Sequence, residues 1–346
     1  MVKKERNYNI DFLRGVATIC IILIHTTWWS GTMYLPSWVS NLSLLIDVPS
    51  FMFISGITFK YGNSVKKAIK NIYEQWKKWL YFLIFYSLII LIFFNSEFRV
   101  NEIFSWIVYY FPTENSLAVV NGSLWFMIMF IKVSILSTVL ICSVNQFSNC
   151  DKEKNEMFKY ILFILLFIFI YTSMSKSNLI IDSEVSFYSF IYILGYCLSD
   201  YKIKDKKTFL IMETINFICL YFVFKIFNLG ITSIQMIKFP PFLPYLFFSL
   251  ISIILFLYLK DNLKIRKTNR IVYIGKNAIY FYFSQGVSSS FLYDIYPYLV
   301  DMNIFFKFTI LLIVNIGLTF VFATFLSRTY KRIDTKIKSV KLFANE

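Results

Sequence analysis

Residues 9–29 read NIDFLRGVATICIILIHTTWW. The stretch is long and apolar enough to cross a hydrocarbon core, which takes about 20 apolar residues. It nevertheless carries Asp11, Arg14 and His25, and His25 is the only histidine in 346 residues. An α-helix turns about 100° and rises about 1.5 Å per residue. Arg14 and His25 therefore return to within roughly 20° of one face, about 16 Å apart along the axis. Asp11 and Thr18 fall on or near that face. Ionisable groups inside a span are costly in lipid and face protein or a water-filled cavity. One polar stripe on an apolar helix thus predicts an intramembrane site.

The rest of the chain repeats the apolar pattern. With 58% hydrophobic and 21% aromatic residues and a mean hydropathy of +0.61, it does not read as a soluble protein. Apolar runs recur from end to end, which predicts an all-α polytopic membrane protein with about ten spans. They fall roughly at 9–29, 39–59, 79–94, 123–145, 158–175, 185–199, 209–228, 242–259, 271–291 and 304–327, in a single domain covering 1–346. Neither an internal repeat nor a broken helix is read, and no Pro/Gly-rich linker divides the chain. Lys3, Lys4 and Arg6 precede the first apolar run without a small-residue cleavage site after it, so the first span is expected to stay uncleaved. A net charge of +15 raises nucleic acid as a partner. The Lys and Arg lie in short blocks between spans, however, with no nucleic-acid motif, so none is expected. The five cysteines show no metal-ligand or disulfide spacing, so no metal is expected.

Lysine and arginine bias sets the orientation. With the N-terminus inside, the inner segments hold twenty-eight Lys/Arg and the outer ones only Arg99, Lys176 and Lys238. Arg14, Lys132, Lys225 and Lys307 lie within spans. Both termini are then cytoplasmic, Asp11 and Arg14 lie near the inner edge, and His25 lies in the outer half. Composition rich in Phe, Ile, Lys, Asn and Tyr fits an AT-rich genome and a bacterial plasma membrane.

Further candidates lie along the chain. Asp47 reaches the depth of His25 and reads either as its partner or as a helix-end carboxylate. Residues 60–78 read as a basic cytoplasmic surface helix, drawn to anionic lipid or to a polyanionic substrate. In the outer loop 95–121, Trp106, Tyr109, Tyr110 and Phe111 form an interfacial belt or stack on sugar rings. Lys132, mid-span, needs a carboxylate, phosphate or water partner. Asn277, Tyr280, Ser284 and Ser288 share one helix face with Gln285 beside it, as interhelical glue or as a polar cavity wall.

Asp11, Leu13, Arg14, Gly15 and His25, with ten residues between the Arg and the His, resemble the first helix of the acyltransferase family 3 proteins. The match continues through VPSFMFISGITF with Pro49, Phe51, Ser55 and Gly56, and through NGSLWF at 121–126. KFPPFLPYL at 238–246 is similar to a proline-bearing segment of polysaccharide-modifying members. IGKNAIYFYFSQ at 274–285 resembles a late family element whose second histidine is here Gln285. No esterase-like domain follows the tenth span, so action alone or with a separate partner is expected.

The resemblance implies an integral membrane acyltransferase that takes acyl-coenzyme A, most simply acetyl-coenzyme A, and acylates a hydroxyl of a surface or lipid-linked carbohydrate. His25 is the expected base, directly or through an acyl-histidine. Arg14 binds phosphate or steadies the site, and Asp11 holds Arg14. Arg14, Lys77, Lys78 and Lys132 are candidate donor-binding residues, and Arg266 and Lys267 add to the basic inner face. Asp47, Ser55, Trp125, Lys238, Asn277 and Gln285 are candidate acceptor-binding residues. The competing function is a transporter or flippase of a lipid-linked sugar or acyl group, which ten spans with polar interiors also fit.

Overall fold

The computed structural model describes residues 6–29, 34–62, 65–93, 118–148, 150–175 and 183–343. Among the described residues there are twelve α-helices: α1 (Tyr8–Trp29), α2 (Ser37–Ser43), α3 (Val48–Gly62), α4 (Val65–Phe93), α5 (Ala118–Phe147), α6 (Asp151–Ser175), α7 (Ser183–Cys197), α8 (Lys206–Ile226), α9 (Leu243–Asn262), α10 (Arg270–Lys276), α11 (Ala278–Ile295) and α12 (Ile304–Phe343). No β-strand occurs among the described residues. Among the described residues, eight segments are long and apolar enough to cross a membrane: Tyr8–Trp28, Ser37–Lys60, Val65–Ile92, Trp125–Phe147, Asp151–Met174, Lys206–Ile226, Leu243–Asn262 and Ile304–Ser339. The all-α polytopic expectation holds. The 15-residue α7 and the α10–α11 pair, expected as the sixth and ninth spans, lie outside that set. The expected outer loop with Trp106, Tyr109, Tyr110 and Phe111 lies outside the described residues, as do Arg99 and Lys176.

Two helices outrun their expected bounds by more than three turns. α4 joins the basic segment and the third span, because no Gly or Pro interrupts Val65–Phe93. α12 continues 16 residues past 327 for the same reason. Two expected spans are instead broken, against the sequence reading. The second divides into α2 and α3 at residues 44–47, and Pro49 sits in the first turn of α3, where its missing N–H costs nothing. The ninth divides at Asn277, whose φ of −114° and ψ of 18° leave the helical region.

The chain forms two compact units, one from Met1–Ile21, Pro36–Ile72 and Met129–Lys276, the other from Ile22–Leu35, Tyr73–Ile128 and Asn277–Glu346. In the first, glycines let backbones touch. A Cβ on Gly275 would strike the Asp11 carbonyl, and one on Gly15 would strike that of Ile271, so α1 and α10 cross in direct contact. Gly56 and Gly195 do the same for α3 and α7 against Tyr192 and Phe53. Small residues at crossings are the membrane substitute for a hydrophobic driving force. Gly275→Ala is expected to destabilise by about 1–3 kcal/mol, the cost of overpacking. Thermal unfolding in detergent reads this; an unshifted midpoint would show that the crossing tolerates a methyl. The core of this unit holds Phe53, Phe169, Phe187, Tyr188, Tyr245 and Phe256. Asp205 caps α8 by accepting the Thr208 N–H at 2.7 Å, which holds its carboxyl below the usual range. In the second unit Trp79, Phe82, Tyr86 and Phe283 stack into an aromatic core, Phe82 and Phe283 at 4.6 Å.

Candidate functional site

In the first unit the site starts at the foot of α1. Asp11 is 4% exposed and is gripped by Arg6, whose Nε and Nη2 donate to its two oxygens at 2.5 and 3.0 Å. Arg14 stands 3.7 Å from Asp11 and donates no hydrogen bond from its guanidinium among the described residues. Asp11 thus faces Arg14 as an ion pair at 3.7 Å, while its bidentate partner is Arg6. Arg6 lies in the extended segment before the helix and can present its fork edge-on to the carboxylate. Arg14, three residues along the helix, meets Asp11 only as a charge. Its side chain is a quarter exposed. Around this foot, Asn9 donates to the Lys260 and Leu263 carbonyls at 3.0 and 2.7 Å, and Lys276 lies 4.8 Å above the Tyr8 ring.

The same unit brings Asp47 and Lys238 together. Lys238 Nζ reaches Asp47 Oδ2 at 2.6 Å, and the Tyr245 hydroxyl donates to the same oxygen at 3.0 Å. Their side chains are 7% and 2% exposed, so this is a buried ion pair. It sits at the break between α2 and α3. It ties down the segment before α9, which is also held where the Gln235 N–H donates to Asn41 Oδ1 at 2.9 Å. Lys238 and Tyr245 are the partners observed on Asp47, for which the sequence reading offered His25 or a place at a helix end. Ser55 donates to the Phe51 carbonyl of its own helix at 2.8 Å. Lys132 is exposed, on the α5 face it shares with Ile135 and Val139, and has no hydrogen bond or ion pair among the described residues. It does not enter the buried interior, contrary to the expected cavity role.

In the second unit the C-terminal end of α1 carries His25, half-buried, and Thr26, fully buried. Thr26 donates to the Ile22 carbonyl and accepts from Asn315 Nδ2 at 2.9 Å. Asn315 also donates to Ser289 at 3.0 Å and accepts from Ser288 at 2.7 Å, and Ser288 meets Thr319 at 2.6 Å. This network joins α1, α11 and α12. Ser288 is part of it, as its helix face suggested. Ser284 and Gln285 are fully buried, and neither the Ser284 hydroxyl nor the Gln285 amide has a hydrogen-bond partner among the described residues. Asn277, at the break before α11, accepts from Ser327 at 3.2 Å and from Lys331 at 3.4 Å. Trp125 meets Phe126 edge-on at 6.2 Å; Phe126 in turn packs on Tyr282, which donates to the Ser123 carbonyl.

Lys77 and Lys78, two of the four basic residues expected to bind donor, separate in character. Lys77 is neutralised by Glu74 at 2.9 Å and Asp334 at 3.4 Å. Lys78, half-buried, lies 5.9 Å above the Tyr280 ring and has no ion pair among the described residues. Of the pair, Lys78 keeps its charge available.

Among the described residues, α1 carries Arg14 near its N-terminal end and the chain's one histidine, His25, eleven residues further along. The family described as an acyltransferase domain matches residues 7–327, nearly the whole chain. The chain belongs to the acyltransferase family 3. Neither a curated protein nor a solved structure matches it. Within this membrane acyltransferase, the sequence reading missed Arg6, Thr26, Asn315 and Thr319. Asn315 carried a usable signal: an amide in the middle of LLIVNIGLTF, one turn from Thr319, is costly unless bonded. Arg6 carried none, because it lies outside any periodic segment.

Proposed function

We propose that this acyltransferase moves an acyl group, most simply acetyl, from acyl-coenzyme A to a hydroxyl of a surface or lipid-linked carbohydrate. The observation that carries the reading is α1 itself. It presents the Arg14 guanidinium, which among the described residues meets Asp11 at 3.7 Å without donating a hydrogen bond, at one end and the chain's only imidazole about 16 Å further along the same face. A guanidinium with free N–H groups suits a phosphate of the donor. A neutral imidazole suits proton removal near neutral pH.

In this mechanism His25 takes the hydroxyl proton as the acceptor oxygen bonds to the thioester carbonyl carbon. The carbon–sulfur bond then breaks, and His25 returns the proton to the departing thiolate. Products are the ester, the free thiol and neutral imidazole. Arg14 orients the donor and leaves the chemistry to His25.

Arg14→Ala is expected to raise the donor KM by about 10- to 100-fold, the worth of a hydrogen bond to a charged group. Arg14→Lys should recover only part of it, because an ammonium lacks the fork. Steady-state kinetics with labelled acetyl-coenzyme A decide this, and an unchanged donor KM would remove Arg14 from donor binding.

A second reading has one structural feature in its favour. The spans broken at residues 44–47 and at Asn277 have the form used by transporters at their substrate sites. Purified protein in vesicles, given labelled acetyl-coenzyme A and a glycan acceptor, separates the two. Label on the glycan means transfer; movement of an intact lipid-linked sugar across the vesicle without label means transport.

A further inference from the structure

We infer that Asn315 is a positioning residue for His25, acting through Thr26. This rests on His25 as the base in the proposed reaction. The argument starts from the geometry of α1. Its C-terminal end holds His25 half-buried and Thr26 at 0% exposure, one residue and about 100° around the helix. The Thr26 hydroxyl spends its proton on the Ile22 carbonyl at 2.8 Å and leaves its lone pairs to Asn315 Nδ2 at 2.9 Å. That amide is in turn fixed on its oxygen side by Ser288 at 2.7 Å and on its nitrogen side by Ser289 at 3.0 Å. Every member of the cluster is 3% exposed or less. Asn315 is therefore a rigid pin between α12 and α11 that grips one point on α1.

A helix held by apolar contacts alone can turn about its axis at small cost, because one apolar ridge replaces another. A hydrogen bond from a fixed amide to one hydroxyl removes that freedom, and within a membrane its loss is not replaced by water. A turn of about 20° would carry a ring lying about 6 Å from the axis through about 2 Å. Misplacement of a reacting group by about 1 Å costs about 100-fold in rate. The pin is thus large enough in effect to matter for chemistry, while the foot of α1, where Arg14 lies, is held separately by the close crossing with α10 and by Asn9 on the Lys260 and Leu263 carbonyls, so the twist falls on the end that carries His25.

The test separates the pin from mere stability. Thr26→Val removes one hydroxyl, and Asn315→Asp keeps shape and acceptor while deleting the donor to Thr26. Both are expected to lower kcat by about 10- to 100-fold with the donor KM within about twofold of wild type. Thr26→Ser keeps the oxygen and should recover most of the rate. The double variant Thr26→Val with Asn315→Asp should be no slower than the slower single one, since both break the same bond. Multiplying losses, or a Thr26→Val enzyme with unchanged kcat, would overturn the inference.

A second readout does not need turnover. In a background with the five native cysteines replaced by serine, His25→Cys is labelled by a membrane-permeant maleimide with and without Asn315→Asp. The labelling rate is expected to change about fivefold or more. An unchanged rate overturns the pin even if catalysis falls. Absence of acyl transfer by wild type would instead retire His25 as base, and the labelling result would still read the position of residue 25.

Discussion

His25→Ala abolishes acyl transfer to the glycan while leaving the protein folded and able to bind donor: this is the largest expected effect. Loss of a general base costs about 100- to 10,000-fold. Here the loss should sit at the upper end, because the chain holds no second histidine to substitute. Gln285, in the late family element where another imidazole would stand, cannot accept and return a proton at neutral pH. Most of the ring is covered, so truncation to Ala also costs packing, and the unfolding midpoint is to be read beside the rate. His25→Gln is the sharper variant, since it keeps bulk and hydrogen bonding and deletes only basicity. Single-turnover transfer of labelled acetyl groups measures both. Residual transfer within threefold of wild type in either variant would move the base elsewhere.

The second large effect concerns folding. Lys238→Met leaves the Asp47 carboxylate buried with only Tyr245 on it, and Asp47→Asn leaves a buried ammonium without its counter-charge. Removing one partner of a buried ion pair costs about 3–5 kcal/mol. The double change, Asp47→Asn with Lys238→Met, removes the uncompensated charge and is expected to regain most of that loss. Unfolding midpoints of the two single variants and the double one, in one detergent, give the coupling. Additive losses would mean that the two residues act separately, whatever their distance. The same variants bear on the acceptor, because the pair secures the segment at 238–246 that resembles the family's proline-bearing element. Loss of transfer with intact donor KM would point to that segment.

Much of the helix layout was legible because an apolar run of about 20 residues has few alternatives to a span. The polar stripe of α1 was legible because an arginine and a histidine inside such a run stand out against it. The breaks at residues 44–47 and at Asn277 were not. Hydropathy averages over the whole window, and a few turn residues between apolar neighbours leave the average unchanged. Arg6 was counted as an orientation charge, since nothing in a segment ahead of a helix says which way its side chain reaches. Lys238 read as an outer-loop lysine because burial is decided by what packs over a residue, not by its neighbours in sequence. Lys132 shows the converse. Its central place in α5 suggested an interior role, but it lies on the face with Ile135 and Val139, which points outward.

The unbroken 40-residue α12 has a practical consequence for imaging. At about 1.5 Å per residue it measures about 60 Å, twice the hydrocarbon core, so about half of it must stand clear of the apolar layer. Near its exit it is braced to α4 by Asp334 on Lys77 and by Tyr81 on Thr329. A membrane protein of 41.1 kDa offers little mass outside a micelle for aligning particle images. A helical fusion partner spliced in register onto α12 would inherit its direction without a hinge, turning the helix into a rigid mast for electron microscopy.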